Sequence, residues 1–487
     1  MILNLNSDWL KNCPAGLLHA LSRLAGESGT KLFVVGGAVR DHLSGSLAHD
    51  LDIAMASGAL SFARRLAADL GGTFVLLDEE EGVARVVWKG FDIDLADFRD
   101  QTTSIEADLL KRDFTINAMA FRFPGESGHI EGEIIDPGGG RDDFHHGLVR
   151  VISPAAFEND PLRLLRAYRF KATLGFQLEP DTEKWIGEYG HLLSRAAPER
   201  ISYELQQIMA SIRAGSTIFS MVESTLFWYL FPELKKGEGM EQPTSHHLDV
   251  FSHCLAALDW MEKLQARAKD FFPGDLAVKI SAYLGHEENR VRLKWAALFH
   301  DLGKPDCHVI RQGRITFYNH DQAGAQEFEK IGARLHWSRE DIKRVSRLIR
   351  LHMWPFHLNN SRKKTGITAK ACLRLVKAVG DDLAGLFLLA MADSLAGQGV
   401  NRPPAMEEEL VELYSEVERV CREQVRPVLE QPPLVTGRDL IDLGLTPGPN
   451  FKMILSSLEN VRVEGGIKTR SQGLAWIESF VAENNLL

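Results

Sequence analysis

The sequence predicts an α+β chain: a small antiparallel sheet forms a head, and a helical neck, a histidine-rich domain and a helical tail follow it. Three observations predict this. Short apolar and alternating runs that read as strands are confined to about the first 145 residues. From Ser153 nearly to the end, apolar residues recur at the helical spacing of three and four. Two polar breaks, KKGEGMEQPTS and GQGVNRPPAMEEE, then divide the helical part. The resulting boundaries are 1–145 for the head, 146–235 for the neck, 236–400 for the histidine-rich domain and 401–487 for the tail.

The head opens on KLFVVGGAVRDHLSGSLAHDLDIA, Lys31 to Ala54. Leu32 to Val35 reads as a short strand, Gly36-Gly37 as a turn, and the next residues as a helix carrying Arg40 and Asp41. A second strand then holds Asp50 and Asp52. Glycines at a strand-to-helix turn let a polyphosphate approach the backbone, and the helix N-terminus behind them favours negative charge. Alternate residues of a strand face the same way, so Asp50 and Asp52 project side by side. Such a pair can hold Mg²⁺ against a nucleoside triphosphate and an attacking hydroxyl. A lone GG or a lone DxD is commonplace; both together in this order are not.

A helix at Ser57 to Leu70 follows, then strands Thr73 to Leu77 and Val83 to Trp88 around the acidic turn DEEEG. A third strand, FDIDLADF, places Asp92 and Asp94 on one face. Ser104 reads as the cap of a short helix whose first turn carries Glu106 and Asp108. In KRDFTINAMAF, Asn117 lies one helical turn beyond Arg112 and Asp113, which brings a guanidinium and an amide to one surface. The guanidinium fork suits phosphate. IIDPGGGRDDF, with Asp136, Gly140 and Asp143, reads as a glycine-rich connector.

In the neck, ENDPLRLLRAYRF puts Pro161 at a helix start and Arg163, Arg166 and Arg169 at threes, a slanting basic ridge beginning at Asp160. The same helix must bury Leu164, Leu165 and Tyr168, so its arginine row needs an acidic partner. The row also supplies a local positive potential, which a net charge of -10 does not lead one to expect for a nucleic-acid binder. APERISYELQQIM reads as a structural helix opened by Pro198.

Beyond the first break the histidines concentrate: His253, then His300 with Asp301 in WAALFHDLGKP, His320, His352 and finally Asp393. Imidazole and carboxylate together suit a borderline or hard divalent cation. Leu410, Leu413, Val417 and Val420 mark an amphipathic helix in the tail. Five scattered cysteines with no CxxC pair argue against a disulfide framework or a zinc ribbon. No leader pattern and no bilayer-length apolar run are read, so a cytoplasmic protein without a membrane partner is expected.

GGAVRD followed by HDLDIA resembles the catalytic head of the bacterial tRNA nucleotidyltransferase and poly(A) polymerase family. KRDFTINA is similar to that family's RRDFTINA, with Lys111 in place of the first Arg. NDPLR is similar to its EDPLR, with Asn159 where the family has Glu. The histidine order resembles that of HD-domain phosphohydrolases. The resemblance implies that Asp50 and Asp52 hold Mg²⁺, with Asp94 either a third metal-facing carboxylate or a solvated edge-strand acid. It implies nucleotide binding by Gly36, Gly37, Arg40, Asp41, Arg112, Asp113, Asn117, Arg166 and Arg169. Asp160 and Arg163 would read the base: the carboxylate accepts from the exocyclic amine of cytosine or adenine, and the guanidinium donates to the neighbouring ring nitrogen.

The implied partners are the tRNA 3′ end, CTP and, for complete CCA addition, ATP. The HD residues His253, His300, Asp301, His320, His352 and Asp393 would hold Mn, Fe, Ni, Co or Mg and hydrolyse phosphates such as 2′,3′-cyclic or 2′-phosphate ends. Between Arg99 and Arg112 only DQTT is left as free loop, where CCA-adding members carry a longer one. That favours addition of CC alone, followed by a separate A-adding enzyme. Two rivals are a poly(A) polymerase, whose long arginine-rich tail is not matched by WIESFVAENNLL, and an HD hydrolase whose head only binds RNA. The intact DxD opposes the second.

Overall fold

The structure is a computed structural model that describes residues 12–47, 50–124, 133–484 and 486. The segment read for a leader, and His49 of the HDLDIA motif, lie outside those residues. The chain divides into two compact units. One runs to Arg213 and includes Ser220–Leu230; the other takes Ala214–Phe219 and Phe231 onward.

The first unit contains the predicted sheet. Its elements are α1 (Leu17–Ser28), β1 (Phe33–Val35), α2 (Gly37–Leu43), β2 (Asp50–Met55), α3 (Ala59–Leu70), β3 (Thr73–Asp78), β4 (Val83–Trp88), β5 (Phe91–Asp97), α4 (Ile105–Leu109) and β6 (Ala120–Arg122). The strands lie in the order β3-β4-β5-β2-β1-β6. Alternation decides what each face meets. Leu51, Ile53, Val86 and Ile93 bury one face against Leu17, Leu21, Phe62 and Leu66 of α1 and α3. Val35, Ala54, Ile105 and Leu109 pack on the other face.

The α+β reading is borne out, with one correction to the sheet. Most neighbours pair antiparallel, but β2 pairs β5 in parallel, with Asp50 opposite Asp92 and Asp52 opposite Asp94. Parallel partners need a long crossover, which α3 and the β3–β4 hairpin provide. The segment around Arg112 is also less helical than expected. α4 begins where Ser104 caps it, its side chain accepting from Ala107 N. Beyond Arg112 only a single 3-10 turn, Thr115–Asn117, precedes β6. Gly140 packs so close to Thr115 that a Cβ would lie 2.0 Å from the Thr115 carbonyl oxygen, which accounts for the glycine-rich connector.

The neck supplies α5 (Gly140–His145), α6 (Ala155–Asn159), α7 (Arg163–Leu174), α8 (Pro180–Tyr189) and α9 (Pro198–Ala210). It is not purely helical, because Leu148–Val149 and Gln177–Leu178 pair in parallel. The second unit is, among the described residues, a helical assembly with one short hairpin, Val309–Arg311 against Arg314–Thr316. Gln312 and Gly313, both at positive φ (50° and 72°), form its turn. Among the described residues no helix is long and apolar enough to cross a membrane.

Candidate active sites

In the first unit a cavity of 430 Å³ opens over the carboxyl side of the GG turn. Gly36 turns at φ 68°, and a Cβ there would stand 3.0 Å from Asp52 Oδ2, so the glycine lets the backbone crowd the carboxylate. The parallel pairing of β2 with β5 sets Asp52 beside Asp94. Burial, then the neighbouring carboxylates Asp50 and Asp94, push Asp52 up to about 6. Carboxylates crowded in this way fit a divalent cation, which would relieve their mutual repulsion. Asp94 is also engaged from the protein side, since Arg85 grips both its oxygens at 2.7 and 2.9 Å and reaches Asp92 at 2.8 Å.

Of the predicted nucleotide-site residues, Gly36, Gly37, Arg40, Arg112, Asp113, Asn117, Asp160, Arg163, Arg166 and Arg169 line this cavity together. Two predicted residues do not. Asp50 stands at the exposed start of β2, and Asp41 sits on α2, 3.3 Å from Arg40.

Buried acids aim the arginines. Asp113 accepts from Arg166 at 2.6 and 2.9 Å, from Phe114 N at 2.8 Å and from Asn117 at 3.2 Å; Asn117 in turn accepts from Arg40 at 2.8 Å. Glu204 of α9 accepts from Arg169 at 2.7 Å. Asp108 divides its oxygens between Arg99 and Arg112, and burial followed by the Arg99 charge draws Arg112 down to about 10, still a cation at neutral pH. Arg40, Arg166 and Arg169 all lie within 5.6 Å of the Phe170 ring centroid. Asp160 accepts from Leu162 N and from Arg200, 2.9 Å away on α9.

Arg99, Asp108, Phe170, Arg200 and Glu204 were not predicted for this site. Asp108 was read only as a helix-start acid, and α9 only as structure. The requirement of an acidic partner for the arginine row was the available signal.

Burial alone would raise the Asp113 carboxyl, but Arg166 beside it, with its two amide donors, holds it well below the usual carboxylate range. A depressed folded-state value contributes stability above the unfolded value of about 4, and that stability is lost as the pH falls through the folded value. Asp113→Asn should therefore cost about 2 kcal/mol at neutral pH, and the deficit should narrow below about pH 4. Denaturant unfolding of both proteins across that range measures it; a deficit independent of pH would rule out the charge pairing.

The second unit brings all six predicted histidine-centre residues together. His253 Nε2 lies 3.0 Å from Asp393 and 3.2 Å from His300 Nε2, and His300 Nε2 lies 3.2 Å from Asp301 Oδ2. On the other side His320 and His352 meet at 3.2 Å through their Nε2 atoms, 3.3 and 3.7 Å from Asp301 Oδ1. Asp301 bridges the two groups. Nδ1 of His300, His320 and His352 bonds to the carbonyls of Ala297, Phe317 and Ile349, which points each Nε2 inward.

Nε2 atoms this close need a proton or a cation between them, and burial, then His320 and His300, push His352 down to about 3. The donor set therefore fits a pair of divalent cations. Lys304 and His246 join the same 710 Å³ cavity without having been predicted. His246 lies directly after the polar break that ends at Ser245, and no role was read for it.

Matches to family models cover three stretches: "Poly A polymerase head domain" over residues 32–150, "Probable RNA and SrmB- binding site of polymerase A" over 175–237, and "HD domain" over 250–395. The chain is 33% identical over 459 residues to an A-adding tRNA nucleotidyltransferase of Deinococcus radiodurans, covering 92% of this chain and 95% of that one. It is 30% identical over 456 residues to a CC-adding tRNA nucleotidyltransferase of Thermus thermophilus, covering 91% and 92%. Its fold is similar to that of a Thermotoga maritima CCA-adding enzyme solved with tRNA, at a TM-score of 0.61, 22% identity, and coverage of 96% and 95%.

Proposed function

The chain belongs to the tRNA nucleotidyltransferase family, whose members carry the poly A polymerase head, and from that premise we propose that it adds two cytidines to the 3′ end of tRNA. The observation that carries the reading is a single cavity in which Asp52, a fan of arginines and the Asp160–Arg163 pair converge. Arg40, Arg112, Arg166 and Arg169 bind the triphosphate of CTP, each aimed by a buried acid or amide that spares it rearrangement during the reaction. Asp160, steadied by Arg200, and Arg163 select a base that offers an amine beside a ring nitrogen. Asp50 and Asp52 would hold Mg²⁺, which supplies charge neutralisation at the α-phosphate and an activated RNA 3′-hydroxyl. Asp94, with Arg85, completes the acid face. The poly(A) polymerase rival loses ground to relatives that carry CC- and A-adding names over nearly the whole length.

Restriction to CC is supported by the segment after β5. Arg99–Gln101 make a tight turn, closed by Thr102 N donating to Arg99 O at 3.0 Å, with Asp100 and Gln101 at positive φ. Asp108 anchors the turn through Arg99 N at 2.9 Å, and Lys111 anchors it through Asp100 at 3.0 Å. A pocket that serves both bases in turn needs a mobile element; this one is short and held at Arg99 and Asp100. The test gives the enzyme CTP and ATP together with tRNA lacking its last three nucleotides. Extension by two is expected. Extension by three would make it a CCA-adding enzyme. Adenosine addition only to tRNA already ending in CC would place it with the Deinococcus relative.

The histidine–aspartate centre supports a second, phosphohydrolase activity. Its six residues would hold a transition metal or Mg²⁺, which supplies a water nucleophile near neutral pH. Lys304, 2.5 Å from Asp301 and 2.7 Å from Gln242, offers a cation to a substrate phosphate in the same cavity.

A further inference from the structure

The histidine–aspartate centre has one histidine more than the HD motif supplies. His246 precedes the helix Val250–Ala266, and its ring centroid lies 4.8 Å from that of His253. Ligand atoms of His246, His253 and Asp393 lie within 4.8 Å of one another. The His246 Nδ1 atom is sealed from solvent and has no hydrogen-bond partner. A buried polar nitrogen left so is costly unless something bound supplies the partner.

The loop that carries His246 is built to hold it there. Gly399 N donates to Ser245 O at 2.9 Å, Asn401 Nδ2 to Thr244 Oγ1 at 2.7 Å, and Gln398 N to His247 Nδ1 at 3.2 Å. A Cβ on Gly399 would lie 2.2 Å from the Ser245 carbonyl carbon, so only glycine permits the approach. Thr244 and Ser245 end one polar break of the sequence and Gln398, Gly399 and Asn401 lie in the other, yet each fixes the other.

We propose that His246 is a ligand of the cation held on the His253–Asp393 side of the centre, an inference that rests on reading that centre as a metal site. Asp301 gives Oδ1 to the His320–His352 side, which makes three protein donors there. It gives Oδ2 to the other side, where His253, His300 and Asp393 bring the count to four and His246 to five. The His253–Asp393 side therefore offers more donors than the His320–His352 side and should hold its cation more tightly.

The test titrates Co²⁺, which favours imidazole, into the full-length protein with Mg²⁺ in excess to occupy the carboxylates of the head. Calorimetry and the visible cobalt spectrum are read for wild type, His246→Ala, His246→Phe and the remote control His286→Ala. Wild type and the control should bind two Co²⁺. Both His246 variants should lose about tenfold or more at one position only, with an altered cobalt spectrum. Phe keeps a ring against His253 but offers no lone pair, so wild-type binding by His246→Phe would reduce His246 to packing and overturn the proposal. Unchanged binding by both variants would overturn it and leave the metal reading standing. Wild type that binds no Co²⁺ in this unit would overturn both.

Discussion

Asp52→Ala should abolish nucleotide addition while leaving the head folded, and the two halves of that result come from one electrostatic arrangement. The side chain faces the cavity between Gly36 and Asp94, where burial and the carboxylates of Asp50 and Asp94 push it up to about 6. The folded state therefore disfavours its charge. An acid whose folded value lies above its unfolded one loses stability as the pH rises from about 4 to the folded value. Removing that carboxylate should leave the melting temperature in metal-free buffer at pH 7 unchanged or raised. Losing a carboxylate that holds a catalytic cation costs several kcal/mol of transition-state stabilisation, about a thousandfold in rate. Arg112 keeps Asp108 as a partner, so no buried cation is stranded. Asp50→Ala should behave alike. Incorporation of CTP near the wild-type rate by a folded variant would sink the assignment; a fall in both activity and melting temperature would make Asp52 structural.

How much of this was legible in the sequence follows from distance along the chain. The strand, GG turn, helix and DxD strand occupy 24 consecutive residues, Lys31 to Ala54, and local periodicity is enough to read them. The β2–β5 pairing was not legible. A helix and a hairpin lie between the two strands, and alternation tells which face a residue takes but not which strand becomes its neighbour. That unread pairing is what sets Asp52 against Asp94. The arginine ridge was visible because three residues per step is a local pattern. Its partners Asp113 and Glu204 lie 53 and 35 residues away from the arginines they hold. The need for acids could be argued from the burial of Leu164, Leu165 and Tyr168, but their identity could not. His246 escaped for the opposite reason: its neighbours are polar and broken by proline and glycine, and composition speaks for a linker whether or not a distant glycine pins the loop.

Asp301→Asn should remove metal-dependent phosphohydrolase activity, by about a thousandfold or more if the cation supplies the water nucleophile, and leave CTP incorporation largely intact. The carboxylate is the one group shared by both histidine pairs, Oδ2 toward His253 and His300 and Oδ1 toward His320 and His352, so its loss weakens both cation positions together. The nucleotide cavity lies in the first unit and has no residue in common with this centre. Asp301 is also the buried partner of Lys304, and a buried cation deprived of its partner destabilises by about 3 kcal/mol or more. The melting temperature must therefore be followed, and His320→Ala serves as a second variant that leaves the Lys304–Asp301 pair in place. Hydrolysis of a 2′,3′-cyclic nucleotide with Co²⁺ and tRNA extension with CTP are measured on the same preparations. Loss of hydrolysis with extension retained, in both variants, supports two independent centres. Loss of both activities in folded His320→Ala would tie the chemistries to one site and end the two-centre reading.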